Sequence, residues 1–311
     1  MNMKVDIVDA IIVMAFFQAC IMLLMIAFPA FQKLILSLID VNGIERSEGN
    51  FRFRGVGFTG LATYSMAVVQ SFSLFLFPLY WSRSSSALRF IASCIVFIVI
   101  CISALISART SIIFIAALFI YFLYISIFSS ISILRKRIFL VACFSIASIS
   151  MSVIYLAGAD SDDLATLYNW GTELYRNFSE SGNVRTESTD ALATLYFMPE
   201  QFTLILGDGL YVTETGGYYM STDVGYIRIA LYGGIIGSVL FYSSFIFLMY
   251  VACKQTKNKF GSKLSHGVVI YSLLIFLVNA KGSIFFDGFI AIKLLMLYTT
   301  SLLVCSQKGK E

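Results

Sequence analysis

Charge is scarce in this sequence. Asp, Glu, Lys and Arg make up 13% of its 311 residues. A soluble domain carries roughly 25%, so the deficit excludes an ordinary water-soluble fold. Proline is rarer still, with 3 residues, and long apolar blocks run almost unbroken. There is one histidine, His266. It opens an apolar block at an end expected to face the cytoplasm, which makes it an interface residue and a poor external base. The six cysteines (Cys20, Cys94, Cys101, Cys143, Cys253 and Cys305) fall in apolar blocks or at their cytoplasmic ends. That placement implies no external disulfide framework, and their spacing fits no metal site. No internal repeat or low-complexity tract is present. No cleavable leader is expected either, because the run at 7–28 after Lys4 and Asp6 is too long for a signal core and lacks a small-residue cleavage site.

What is present is a series of apolar blocks near the ~20 residues that cross a bilayer as a helix. Backbone amides in lipid must be satisfied within the segment, and continuous rather than alternating apolar character argues against a barrel. The expected fold is all-α, a polytopic transmembrane helical bundle of about eight helices. They are placed near 7–28, 59–80, 90–107, 110–130, 138–157, 224–252, 266–280 and 287–305. The whole chain, 1–311, is expected to form a single integral membrane domain.

Orientation follows from the cations. Arg83, then Arg135, Lys136 and Arg137, then Lys254, Lys257, Lys259 and Lys263 fall in short links on alternate turns, with Lys308 and Lys310 in the tail. These links and ends carry a net charge of about +9 and the rest about −5, which makes their side the cytoplasm. Both termini are then cytoplasmic. The overall formal charge of +4 reflects orientation, not nucleic-acid binding. Besides a tight turn at Ala108-Arg109-Thr110, two substantial segments are left outside. In the first, 29–59, Phe31, Leu34, Ile35, Leu38 and Ile39 are spaced as one face of a helix lying on the membrane surface. The second, a large loop at 158–223, precedes the C-terminal transmembrane helices at 224–305. Leu164, Leu167, Tyr168, Leu174, Tyr175 and Phe178 suggest one amphipathic helix in it. A second begins near Thr189 with Ala191, Leu192, Leu195 and Tyr196. Pro199 breaks or restarts it, and Gly207 ends the next turn.

Arginines recur on the external side near the membrane: Arg52, Arg54, Arg109, Arg185 and Arg228. Lys281 and Lys293 flank or enter the last helix. An ionisable group at membrane depth costs a few kcal/mol or more, so it normally has a partner or a task. Arginine keeps its charge and presents a planar fork suited to phosphate. Simpler roles compete: Arg228 paired with Asp223, Lys293 paired with Asp287, and Arg52 as a snorkelling anchor.

Other motifs carry less. Asp160, Asp162 and Asp163 could hold a divalent cation, but acidic residues at a helix start cap it and match its dipole. No metal and no cofactor are expected. Gly207-Asp208-Gly209 is a lone turn signal. Tyr168, Trp170, Tyr175, Tyr196, Tyr211, Tyr218 and Tyr219 could stack on sugars, although a loop core or an interfacial belt is the preferred reading. Gly233 and Gly237, four apart, signal close helix packing within the chain.

Leu206-Gly-Asp-Gly-Leu210, then Ser221-Thr-Asp-Val-Gly-Tyr-Ile-Arg228, then Gly233-Gly-Ile-Ile-Gly237 together resemble the C-terminal signature of bacterial O-antigen polymerases, within the O-antigen ligase-like superfamily. Arg52-Phe-Arg-Gly-Val-Gly57, Ser107-Ala-Arg-Thr110 and Arg185-Thr186 look like further landmarks in matching order. The resemblance implies an enzyme of the bacterial inner (cytoplasmic) membrane. Its substrate would be an undecaprenyl-diphosphate-linked oligosaccharide, its surroundings membrane lipid, and a chain-length regulator a candidate partner. It would polymerise repeat units at the periplasmic face, the large loop being periplasmic. Carried onto this chain, Arg109, Arg228 and Asp223 become candidate catalytic residues, and Arg54 and Arg185 candidate substrate-binding residues. The chain departs from the family in its helix count, since members often have ten or more. It also lacks the periplasmic histidine associated with the related ligases, which favours polymerase over ligase.

The implied chemistry is glycosyl transfer with a diphosphate leaving group. Arginines stabilise the departing charge, and a carboxylate such as Asp223, Glu187 or Asp190 assists the acceptor hydroxyl. The alternatives are an O-antigen ligase-like transferase and a flippase or transporter for the same lipid-linked sugar. A transporter would need cations along a full transbilayer path and internal repeats, whereas the unusual cations here cluster in the outer half.

Overall fold

The computed structural model describes residues 6–39, 57–59, 64–83, 86–108, 110–128, 136–138, 140–141, 173, 176–180, 182, 187–214, 217–285 and 290–307. Ten helices are laid out along it: α1 (Ile7–Ala27), α2 (Pro29–Ile39), α3 (Tyr64–Arg83), α4 (Ala87–Ser107), α5 (Ser111–Phe128), α6 (Glu187–Thr194), α7 (Gln201–Leu206), α8 (Gly225–Phe260), α9 (Ser262–Asn279) and α10 (Ile290–Gln307). Among the described residues there is no strand, only an isolated bridge between Val212 and Tyr218. Among the described residues five helices are long and apolar enough to cross a membrane: α1, α4, α5, α8 and α9. The chain is therefore a multi-pass membrane protein by helix length and composition. The expected span at 138–157 lies mostly outside the described residues, and α10 counts only as a shorter apolar helix.

The chain divides into two units. The first contains Met1–Cys143, Phe247–Phe276 and Phe289–Glu311, and the second Phe144–Ile246 and Leu277–Gly288.

In the first unit, α3 is the central helix, in contact with α1, α4, α5 and α10. Enclosure explains its sequence. Gln70, Ser71 and Ser73 are buried beside Phe72, Leu74, Phe75, Leu76 and Phe77, a composition unsuited to lipid but tolerable when protein surrounds it. Gln70 donates its amide to the Ala15 carbonyl at 3.4 Å. Tyr271 of α9 donates to the Val68 carbonyl at 3.0 Å. The rings of Phe72 and Tyr271 lie 4.9 Å apart, and Tyr298 meets Phe72 edge-on at 5.7 Å. His266 is half-buried with its ring 5.4 Å from Tyr124.

Charges gather at one end of this unit. Asp6 caps α1 by accepting from the Val8 amide at 3.0 Å. Its carboxylate also meets Arg83 at the end of α3, and Lys259 of α8 at 3.2 Å. Asp9 reaches Arg83 at 3.4 Å. Burial alone would raise the Asp6 pKa, but the Val8 amide, Arg83 and Lys259 outweigh it and hold it below its ordinary 3.8. A lowered carboxylate pKa means stability that is present above that ordinary value and is lost as pH falls through the lowered one. These groups are partly exposed, so the network is worth no more than about 1 kcal/mol.

Three elements differ from the sequence-based expectation. The link expected at 253–265 is largely helical: α8 continues to Phe260 and turns only at Gly261, whose φ is +94°. Lysine is a good helix former, so the basic run extends the helix instead of ending it. The surface helix expected in 29–59 exists as α2, but its apolar residues are divided. Ile35 and Leu36 pack on Met25 with Phe31 and Ile39 alongside, whereas Leu34 and Leu38 stay exposed. The close-packing signal falls on the wrong glycines. Nothing lies within 4 Å of a Cβ placed at Gly233 or Gly237, while Gly234 between them is tightly enclosed.

Lipid is as apolar as the core, so a core truncation here loses packing more than transfer energy. Phe72→Ala should destabilise the protein in detergent by about 2 kcal/mol. Phe128→Ala, at a ring 56% exposed, should change the melting temperature little. Thermal unfolding monitored by circular dichroism checks both.

Candidate functional site

The candidate site lies in the second unit and is built on the first turns of α8. Thr222 prepares the entry by accepting from the Val224 amide at 3.3 Å and donating to the Leu195 carbonyl at 3.1 Å. Val224, Ile227 and Leu231 lie at helical spacing on one face. They pack with Leu192, Leu195, Phe197 and Tyr219, which gives α6 and the chain after it their seat. Gly225 is required by close approach, because a Cβ there would stand 2.7 Å from the Asn279 carbonyl oxygen. Asn279 in turn donates to the Tyr242 hydroxyl at 3.0 Å.

After three turns α8 is interrupted. Gly234 has φ 62° and ψ −166°, a backbone region essentially restricted to glycine. The break releases carbonyls that an intact helix would use internally. Asp208 donates its amide to the Leu231 carbonyl at 2.7 Å, and Gly209 donates to Tyr232 at 3.1 Å. The turn after α7 therefore plugs into the break. Gly207, with φ 76°, makes this fit possible: a Cβ there would be 2.6 Å from the Gly233 nitrogen. A Cβ on Gly234 would overlap the Ile205 carbonyl.

This plug carries the next segment across α8. Tyr211 and Tyr218 are held near each other by the bridge between Val212 and Tyr218, and by the Thr213 amide donating to the Gly217 carbonyl at 2.8 Å. Both rings cover the guanidinium of Arg228, whose central carbon is 3.7 Å from the Tyr211 ring centre and 3.9 Å from that of Tyr218. Arg228 also donates from Nη2 to the Tyr211 carbonyl at 3.3 Å and is 2% exposed. Contacts of this kind are worth about 2 kcal/mol or more each when desolvated. The Tyr211 hydroxyl pairs with buried Ser283 at 2.7 Å.

A carboxylate sits beside this arrangement. Asp208 accepts from the Thr203 hydroxyl at 2.7 Å and from the Tyr219 hydroxyl at 3.0 Å. The hydrogen bond to Asp208, then desolvation, then the charges of Asp208 and Glu200 raise the Tyr219 pKa. The Tyr219 amide also reaches the Tyr211 carbonyl at 3.4 Å. Asp208, Tyr219, Tyr211 and Arg228 thus form one connected set.

Of the residues singled out in the sequence, Arg228 is buried under two tyrosines, and Asp223 is half-buried five residues before it. Asp190 is exposed on α6, Lys293 is exposed on α10, and Lys281 is half-buried in the turn after α9. Arg52, Arg54, Arg109, Arg185 and the acidic cluster at Asp160, Asp162 and Asp163 lie outside the described residues, as does the side chain of Glu187. Among the described residues no group of His, Cys, Asp or Glu could hold a metal ion. Tyr211 and Tyr218 flank the arginine. Asp208 was legible only as a turn, because its hydroxyl partners stand five and eleven residues away.

Gly234→Ala should destabilise the protein by about 2 kcal/mol or more, since it combines a disallowed backbone angle with a backbone overlap. Gly237→Ala should be neutral or stabilise by up to about 1 kcal/mol, as alanine does in an open helix position. Melting temperatures of the two variants test this contrast. In comparison with known proteins, the chain matches no family model, no curated protein and no solved structure.

Proposed function

We propose that this protein is a glycosyltransferase of the bacterial inner membrane that polymerises undecaprenyl-diphosphate-linked oligosaccharide repeats, with both termini cytoplasmic and the large loop periplasmic. The observation that carries the reading is Arg228. A permanent cation is kept out of water on an apolar helix, held by aromatic rings from a separate loop. A charge in that setting is costly to maintain and normally has a partner or a task, and we read the task here as ligand binding. The resemblance of the surrounding residues to O-antigen polymerases supplies the substrate class.

In this reading the guanidinium binds the diphosphate of the carrier lipid. Tyr218, which is 43% exposed, is the layer between Arg228 and the surroundings, so it must swing aside to admit the ligand. Arg54, Arg109 and Arg185 would add further contacts. The acceptor hydroxyl attacks the anomeric carbon as the bond from that carbon to the diphosphate oxygen breaks. Its proton passes to a carboxylate, for which Asp223, Glu187 and Asp190 are candidates. The positive charge stabilises the negative charge left on the diphosphate.

Arg228→Ala and Arg109→Ala should abolish long glycan chains while membrane levels stay near normal. Arg228→Lys keeps the charge but loses the planar fork and should reduce chain formation by about tenfold or more. A polysaccharide gel reads all three, and an unchanged ladder for the alanine variants refutes the assignment. Purified protein given lipid-linked units should form glycosidic bonds. Translocation without bond formation would make it a transporter instead.

A further inference from the structure

Helix α7 has no buried residue. Phe202, Ile205 and Leu206, spaced as one helical face, are 71%, 54% and 53% exposed, and Met198 just before them is 80% exposed. Thr203 turns elsewhere and donates to Asp208. The helix is thus held by polar contacts on one side and presents a wholly apolar face on the other.

Its position along the membrane normal can be read from α8. After the break at Gly234, residues 235–253 form a run of about nineteen residues without a charged side chain, which rises roughly 28 Å as a helix. That matches the ~30 Å hydrocarbon core of a bilayer. Lys254, Lys257 and Lys259 follow immediately, as expected where a helix leaves lipid. Gly234 then marks the opposite boundary of the hydrocarbon. The Ile205 carbonyl abuts Gly234, so α7 lies at that boundary too. The first residues past the break, Ile235 and Ile236, are likewise exposed and continue the apolar surface.

We propose that α7 is an interfacial helix whose Phe202, Ile205 and Leu206 face is inserted into the headgroup and acyl boundary of the bilayer. Lipid is the occupant because the patch is continuous with a membrane-spanning run and touches it at the point where that run begins. Short apolar faces bind a membrane surface in this manner. Arg228 stands six residues before Gly234, on the far side of the break. The inference rests on the membrane reading alone and not on the proposed enzymatic activity.

Phe202→Trp and Ile205→Trp, each in the full chain reconstituted in phosphatidylethanolamine–phosphatidylglycerol vesicles, test it. Both positions are exposed and accept the larger ring. The fluorescence added over the parent protein should be quenched about twofold or more by phospholipid brominated high on the acyl chain, and little by aqueous iodide. Glu214→Trp, at an exposed polar site in the loop, should show the reverse. The unaltered protein gives a second readout: a diazirine placed near the top of a phospholipid chain should label the peptide containing Phe202. Iodide quenching at position 202 equal to that at 214 would put this face in water. Quenching by neither agent, with no lipid label, would mean that protein covers it. Either result overturns the proposal.

Discussion

The interruption of α8 at Gly234 is the constraint on which the second unit depends. A continuous helix would satisfy the Leu231 and Tyr232 carbonyls internally and leave the turn after α7 with nothing to bind. Because Gly234 adopts a backbone angle closed to other residues, those carbonyls are free to accept from Asp208 and Gly209. Broken helices in membrane proteins persist where such substitutes are supplied. From that joint the chain continues to Tyr211 and returns through Tyr218, and the two rings close over Arg228. The buried cation is therefore a consequence of the break: the loop is anchored on the same helix that carries the arginine, about one turn away.

The two units solve different problems. In the first, a polar-tinged helix is made compatible with a membrane by enclosure, since α3 is surrounded by other helices and its Gln70 and serines meet protein instead of lipid. Its aromatic contacts give shape-specific packing where the hydrophobic effect offers little discrimination. In the second, the structure around the break is held largely by hydrogen bonds and ring contacts. A cation, a carboxylate and several tyrosine hydroxyls are grouped there because the local backbone is not regular.

Much of the scaffold was legible in the sequence. The long apolar runs gave α1, α4 and α5 to within a few residues, since no other element satisfies a backbone of that composition in lipid. Pro199 separated α6 from α7, because proline cannot continue a helix, and Gly207 ended α7, because glycine tolerates the turn that ends one. What escaped depends on contacts distant in sequence. Gly233-Gly234-x-x-Gly237 reads as a small-residue stripe, and only the approach of Ile205 shows that the middle glycine is the essential one. Tyr211 and Tyr218 read as belt or loop-core aromatics, and only the fold places their rings over Arg228. Asp208 looks like turn chemistry until Thr203 and Tyr219 are placed beside it.

The site combines a fixed positive charge, a partly exposed aromatic cover and a hydroxyl-bonded carboxylate. We propose that this combination recognises a lipid-linked diphosphate. The most direct test is a structure determined by electron cryomicroscopy in lipid nanodiscs with undecaprenyl diphosphate present. The account predicts the diphosphate within about 3 Å of the Arg228 guanidinium, at charge-assisted hydrogen-bond distance, with the Tyr218 ring displaced. A diphosphate bound elsewhere, with Arg228 still covered by both tyrosines, would contradict it.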